Sequence, residues 1–306
     1  MNPRLMGIVN LNPDSFSTVA GEAEDAIAAA LTLVAAGADI IDLGAQSASP
    51  STPVVPAEDE LATLVPVVAA LAAEGVRVSV DTYKPQVAAG VVTAGASIVN
   101  DYSGTDDPAM LEVLAGCDAA LVLTHNIGPV KQRLTDPDLY VDVVVEVGDW
   151  FEHQLDRLAD AGIASDRVLL DPGIDLSKTP AQTVEVLAGL PALRDRFDND
   201  FLVAISRKDF IGTIARVAPH ERGPGTLAAL VPLAAVPGTI ARVHDVAGAR
   251  QFLDVLDVVE GRHTLARDAA LDPALYRSDG WAPGGRSDGW APGGRSDGWA
   301  PGGRSN

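Results

Sequence analysis

The chain is poor in lysine, cysteine and aromatic residues. Cys117 is its single cysteine, which excludes an internal disulfide framework and a cysteine-built metal cluster. No run of about 18 apolar residues marks a membrane span. The first residues lack the basic region and apolar core of a signal peptide. Both absences point to a cytoplasmic protein with no membrane partner. No G-x-G-x-x-G follows the first strand-like run, so a dinucleotide-binding sheet is disfavoured. Positive charge is scarce as well: 22 Lys and Arg face 42 Asp and Glu, for a net charge of −20. That balance argues against nucleic acid and anionic membranes as partners.

What is present is a 306-residue chain, 47% hydrophobic, enough for a large core in one or two domains. Its organising stretch is VRVSVDTYKP, residues 76–85. Val76, Val78 and Val80 alternate with Arg77 and Ser79 as in a short strand. The strand ends in Asp81, just before a turn into an Ala-rich helix. The pattern recurs. Strand-like runs at 5–9, 39–43, 76–80, 97–99, 119–123, 167–170, 201–205 and 239–241 alternate with helical runs, including 57–73, 141–161, 226–236 and 246–258. Alternation of this kind predicts a parallel sheet, and eight units predict a closed (β/α)8 TIM barrel. The barrel is expected over residues 1–268. Residues 269–306 hold three RSDGWAPGG repeats. Too polar and Gly/Pro-rich to offset their ordering entropy, they read as a disordered tail.

At the C-terminal ends of the strands stand Asn10, Asp81, Asn100, Asp171, Lys208, Arg242 and His244. In a parallel barrel these ends converge on one mouth, where such folds bind their ligands. Any one of these residues alone reads equally well as a helix cap or a turn. Together they suit a planar heterocycle. Carboxylates and carboxamides match its donor–acceptor edge, a lysine reaches a ring carbonyl, and an arginine stacks on its face while donating to phosphate. His125, Trp150 and Phe151 read as structural.

MGIVNLNPDSFS, VSVDTYKP, IVNDYSG, LLDPGI, ISRKDFIG, GTLAA and RVHDV resemble, in order, the signatures of the dihydropteroate synthase family. The resemblance implies a transferase of folate biosynthesis in a TIM barrel, joining 7,8-dihydropterin-6-ylmethyl diphosphate to p-aminobenzoate with Mg2+. It places the pterin on Asp81, Asn100, Asp171, Lys208 and Arg242, with Arg242 stacked on the ring. It assigns the diphosphate to Asn10, Arg242 and His244, Mg2+ to Asn10, and catalytic roles to Lys208, Arg242 and Asp81. By analogy it also implies a homodimer.

The second-substrate side departs from the family pattern. Ala48 and Ser49 replace a Thr and an Arg in the second loop, Asn12 replaces a Thr in the first, and Leu176 stands in place of a Phe. Asp209 follows the family's lysine in place of a Ser, an expected repulsion against a carboxylate-bearing substrate. Two readings follow: a synthase with a divergent acceptor site, or a pterin-binding homologue without synthase activity.

Overall fold

Among the residues described by a computed structural model (2–11, 19–47 and 51–272), eight parallel strands close a barrel in chain order. The strands are β1 (Arg4–Asn10), β2 (Ile40–Gly44), β3 (Val78–Asp81), β4 (Ile98–Asp101), β5 (Ala120–Thr124), β6 (Val168–Asp171), β7 (Phe201–Ala204) and β8 (Thr239–Val243). Between and after them run α1 (Val19–Ala35), α2 (Ala57–Ala73), α3 (Pro85–Thr93), α4 (Pro108–Ala115), α5 (Val143–Asp160), α6 (Pro180–Ala188), α7 (Leu190–Arg196), α8 (Asp209–Ala215), α9 (Gly223–Ala228), α10 (Leu230–Ala234) and α11 (Val246–Val259). The (β/α)8 expectation holds. The barrel occupies a compact unit, Met1–Glu260, and a second unit begins at Gly261. The tail repeats lie outside the described residues. No helix among those residues is long and apolar enough to cross a membrane.

The interior of the barrel is built from the period of two along each strand. Met6, Ile40, Ile98, Val122, Leu169, Leu202 and Ile240 form one buried cluster. They come from strands all around the barrel, so they meet inside it. One pleat further along those strands, the same face carries Ile8, Asp42, Asn100, Thr124, Asp171, Ala204 and Arg242. The floor is therefore apolar, and the layer above it is mostly polar, with three of its residues charged. β3 lacks the apolar step: its inward pair is Ser79 and Asp81.

Outside the barrel, strands and helices share an apolar layer. Phe151 of α5 is fully buried and meets Phe197 and Phe201 edge-on, with ring centroids 5.8 and 6.4 Å apart. Such pairs prefer this geometry. Its structural reading is confirmed.

The expected helix at 226–236 is two short helices, α9 and α10. Pro232 has no N–H to donate to the Ala228 carbonyl, and α9 ends at that residue. The seven-residue helices α7 and α8 were not foreseen, being too short for an apolar period to declare itself.

Gly173, in the β6–α6 loop, has φ +71. A Cβ there would stand 2.0 Å from the His125 carbonyl oxygen. Gly173→Ala should destabilise the barrel by about 3 kcal/mol, lowering Tm by roughly 6–12 °C. A thermal melt within 2 °C of wild type would show that the loop shifts freely.

Candidate active site

Asn10, Gln46, Asp81, Lys208, Arg242 and His244 line one cavity of about 290 Å3 at the C-terminal mouth of the barrel. The register brings them together: Asn10 pairs with Gly44 across β1–β2, Asp81 with Asn100 across β3–β4, and Ala204 with Arg242 across β7–β8. The two remaining tip residues lie beside this group. Asn100 is buried, and its amide donates to both oxygens of Asp42 at 3.3 and 3.4 Å. Asp171 is buried and accepts the Gly173 N–H at 2.8 Å, closing the turn after β6.

The centre of the group is Arg242. Its Nε donates to Asp42 Oδ2 at 2.6 Å and its Nη2 to Asp81 Oδ2 at 3.0 Å. Asp42 has no solvent exposure. It also accepts from Ser79 Oγ at 2.6 Å. Sequence reading missed Asp42 and Ser79 because it searched the strand tips, and these lie one pleat deeper. The signal was there: IIDLG places one carboxylate in an otherwise apolar strand, and a buried charge needs a partner.

One cation serves two carboxylates here. Burial raises the Asp81 carboxyl to about 7; Arg242 opposes that shift and Asp42 reinforces it. Burial also works against the charge on Arg242, but Asp42 and Asp81 outweigh it and hold the guanidinium above its ordinary value. Burial raises Asp171. It lowers Lys208, against the pull of Asp175 and Asp171. His244 falls to about 4 through burial and the nearby cations Arg207, Arg242 and Lys208, so it is neutral at pH 7. Its backbone N–H donates to Ser206 Oγ at 3.3 Å, and its Nδ1 shares a hydrogen bond with the same hydroxyl at 2.9 Å.

A second cavity of about 260 Å3 adjoins the first and shares Ser47 and Lys208 with it. Leu176, Arg133 and Asp209 line it. The expected repulsion from Asp209 needs correcting. Its carboxylate is paired with Arg222 at 2.8 Å and with Arg133, which neutralises it. Above this cavity Lys131 donates to Ser47 O at 2.9 Å and Thr52 Oγ1 at 2.8 Å, tying the β5–α5 loop to the β2–α2 loop. Gln46 braces the same loop, accepting from Val55 N and from Lys84 Nζ at 2.8 and 2.9 Å. Asn12, Ala48 and Ser49 lie outside the described residues.

Strain collects on this face. Thr105, Lys131, Asp175, Ser177 and Arg207 all have left-handed φ, at roughly 1 kcal/mol or more each for a non-glycine residue, and all stand in loops that follow strands. His125 proves structural. It is 1% exposed, with Nδ1 2.8 Å from Lys178 Nζ. Burial lowers both groups, Lys178 to about 7.

Fold and site define a (β/α)8 barrel of the enzyme type, with a cavity of buried carboxylates and cations at its C-terminal mouth. A family model described as pterin binding enzyme matches residues 6–244. The dihydropteroate synthase of Escherichia coli K12 is 38% identical over 262 residues, 85% of this chain and 91% of the relative. That of Synechocystis is 39% identical over 263 residues, 83% and 89% of the two chains. The structure of the Burkholderia cenocepacia dihydropteroate synthase complexed with 7,8-dihydropteroate matches with TM-score 0.77 and 32% identity, over 85% of this chain and 92% of that one. The Xanthomonas albilineans enzyme with 4-aminobenzoic acid matches at 0.76 and 37%, over 85% and 93%. The chain belongs to the dihydropteroate synthase family.

Removing a partner from a buried charge cluster costs about 3–5 kcal/mol. Asp42→Ala should lose that much in urea unfolding and Asp42→Asn clearly less. A loss below about 1 kcal/mol for Asp42→Ala would mean that Arg242 does not depend on it.

Proposed function

We propose that this chain joins 7,8-dihydropterin-6-ylmethyl diphosphate to the amino nitrogen of p-aminobenzoate. The observation that carries the reading is the asymmetry of the Arg242 cluster. Asp42 is saturated by Arg242, Ser79 and Asn100, whereas Asp81 accepts from Arg242 alone among the described residues and faces the cavity. A partly satisfied carboxylate at the edge of a slot accepts ring N–H groups. Asp171 and Asn100 extend that edge, Lys208 reaches a ring carbonyl, and Arg242 offers its face. The relatives bound to 7,8-dihydropteroate and to 4-aminobenzoic acid support the same pairing of substrates.

In the reaction the methylene–oxygen bond to diphosphate breaks and its electron pair leaves with the diphosphate. The arylamine lone pair forms the new C–N bond, and the amine then loses a proton to solvent. Arg242, Lys208 and neutral His244 stabilise the departing anion, while Asp81 and Asp171 stabilise the positive pterin. Such preorganised charge is the main source of rate.

Magnesium is part of the proposal. Among the described residues no three His, Cys, Asp or Glu side chains group into a metal centre. A Mg2+ bound through one amide oxygen, waters and substrate phosphates fits that donor set, and Asn10 at the rim is the residue to hold it. When bound, the ion neutralises diphosphate charge.

The proposal places the protein in the cytoplasm as a homodimer. Val184, Leu187, Ile211, Ile214 and Pro232 form an apolar groove on α6, α8 and α10, with Ile214 67% exposed. Exposed apolar patches of this kind mark association surfaces. Ile214→Asp should yield monomer in sedimentation equilibrium; an unchanged mass would move the interface elsewhere.

Asp81→Ala should weaken binding of 6-hydroxymethylpterin by about 100-fold, as read by calorimetry. Wild-type affinity in that variant would remove the pterin clamp. The ring needs the ionised carboxylate, so affinity is full above pH about 7 and falls roughly tenfold per unit below it. On the fold the same raised value acts oppositely: its contribution to stability is present below the ordinary carboxylate range and is lost as pH rises through about 7. A pterin affinity flat from pH 8 to 5.5 would show that Asp81 does not titrate in the binding step.

A further inference from the structure

The second cavity carries cations from two loops, β5–α5 and β7–α8, and their partners differ. Lys131 is occupied by Ser47 O, Thr52 Oγ1 and Pro53 O. Lys208 belongs equally to the pterin cavity, and Arg207 acts on His244. Arg133 has a single ion-pair partner among the described residues, Asp209, and is 63% exposed. Asp209 has two: Arg133 in front and the nearly buried Arg222 behind. An exposed ion pair is weak and easily exchanged. If Arg133 lets go, Asp209 stays neutralised by Arg222, and its backbone N–H stays bonded to Asp175. The pair is thus built to open on the Arg133 side.

We infer that Arg133 of the β5–α5 loop is the acceptor anchor of this chain, exchanging Asp209 for the carboxylate of the incoming arylamine. The inference rests on the synthase reading above and adds a specificity-determining residue to it. It also gives the departures in sequence a physical sense. The β2–α2 loop has Ser49 where the family has an arginine, and a guanidinium reaches the adjoining cavity from the β5–α5 loop instead. Asp209 becomes a competitor held inside the site. It sets how strongly an anion must bind to displace it, and it disfavours acceptors that bring no negative charge. An arginine matches a carboxylate in a two-pronged geometry that an ammonium does not offer.

The test is a titration of p-aminobenzoate into the full-length protein holding 6-hydroxymethylpterin and inorganic diphosphate, beside its neutral isostere p-aminobenzamide. Arg133→Gln should weaken p-aminobenzoate by about tenfold or more. It should leave p-aminobenzamide and pterin affinities within about twofold. Asp209→Ser should tighten p-aminobenzoate several-fold, because Arg133 no longer leaves a partner behind. An Arg133→Gln protein that binds p-aminobenzoate as wild type does, or loses both acceptors alike, overturns the inference. So does a wild-type protein that takes up pterin but no p-aminobenzoate. If wild type takes up no pterin, the synthase reading fails; the acceptor titrations are then run without pterin and judged by the same outcomes.

Discussion

A guanidinium shared between two carboxylates inside a barrel is the constraint on which the rest of the structure depends. Charges placed in a dry interior are expensive unless each is paired and hydrogen-bonded. Asp42 meets that requirement through Arg242, Ser79 and Asn100. Asp81 does not: Arg242 reaches it at 3.0 Å, and the remaining lone pairs face the cavity. The division of labour follows from register. Asp42 pairs with Ser79 across β2–β3 and with Ile8 across β1–β2, so it is enclosed from both sides. Asp81 ends its strand and pairs with Asn100, at the height of the mouth. One carboxylate fixes the direction of the guanidinium, and the other lines the cavity.

The layering of the barrel explains how this arrangement survives. Below the charged layer, large aliphatic side chains fill the interior and exclude water from the floor. Above it, the loops carry the strained residues. Five left-handed non-glycine positions on one face store energy that the packed strands and helices must supply. Lys178 illustrates the support: fully enclosed, it contacts His125 Nδ1, Gly173 O and Leu176 O. It thereby holds the β6–α6 loop against the tip of β5. That loop carries Asp175 and Leu176 to the second cavity.

Much of this was legible in the sequence, and the illegible part has a physical cause. Alternation within short apolar runs gave the strands, and their number gave the barrel. Polar residues at strand ends gave the members of the mouth, because a parallel barrel brings all such ends together. Asp42 was hidden by the same rule, since it stands in mid-strand and only its inward parity with Ile40 marks it. The pairing of Asp209 with Arg133 spans 76 positions and joins the first residue of α8 to a loop without periodic pattern, so no local signal announces it. For that reason Asp209 looked like an unpaired charge. Pro232 was visible, but its effect depends on which carbonyl its missing N–H leaves unbonded.

The scarcity of lysine acquires a meaning once the loops are in place. The chain has four lysines, and each follows a strand on the C-terminal face. Lys84 grips Glu60 at 2.5 Å, the Val55 carbonyl and Gln46. Lys131 ties the same loop from the opposite side. Lys178 secures the β6–α6 loop, and Lys208 stands between the two cavities. An ammonium offers three donors on a flexible stem, which suits it to join loops whose carbonyls converge. With Arg133, Arg207 and Arg242 they gather the cations of this face on a body of net charge −20. Lys84, Arg133 and Arg242 are each held by a carboxylate of the same face, so these cations fix the loops and the carboxylates around the mouth as much as they offer charge to a ligand.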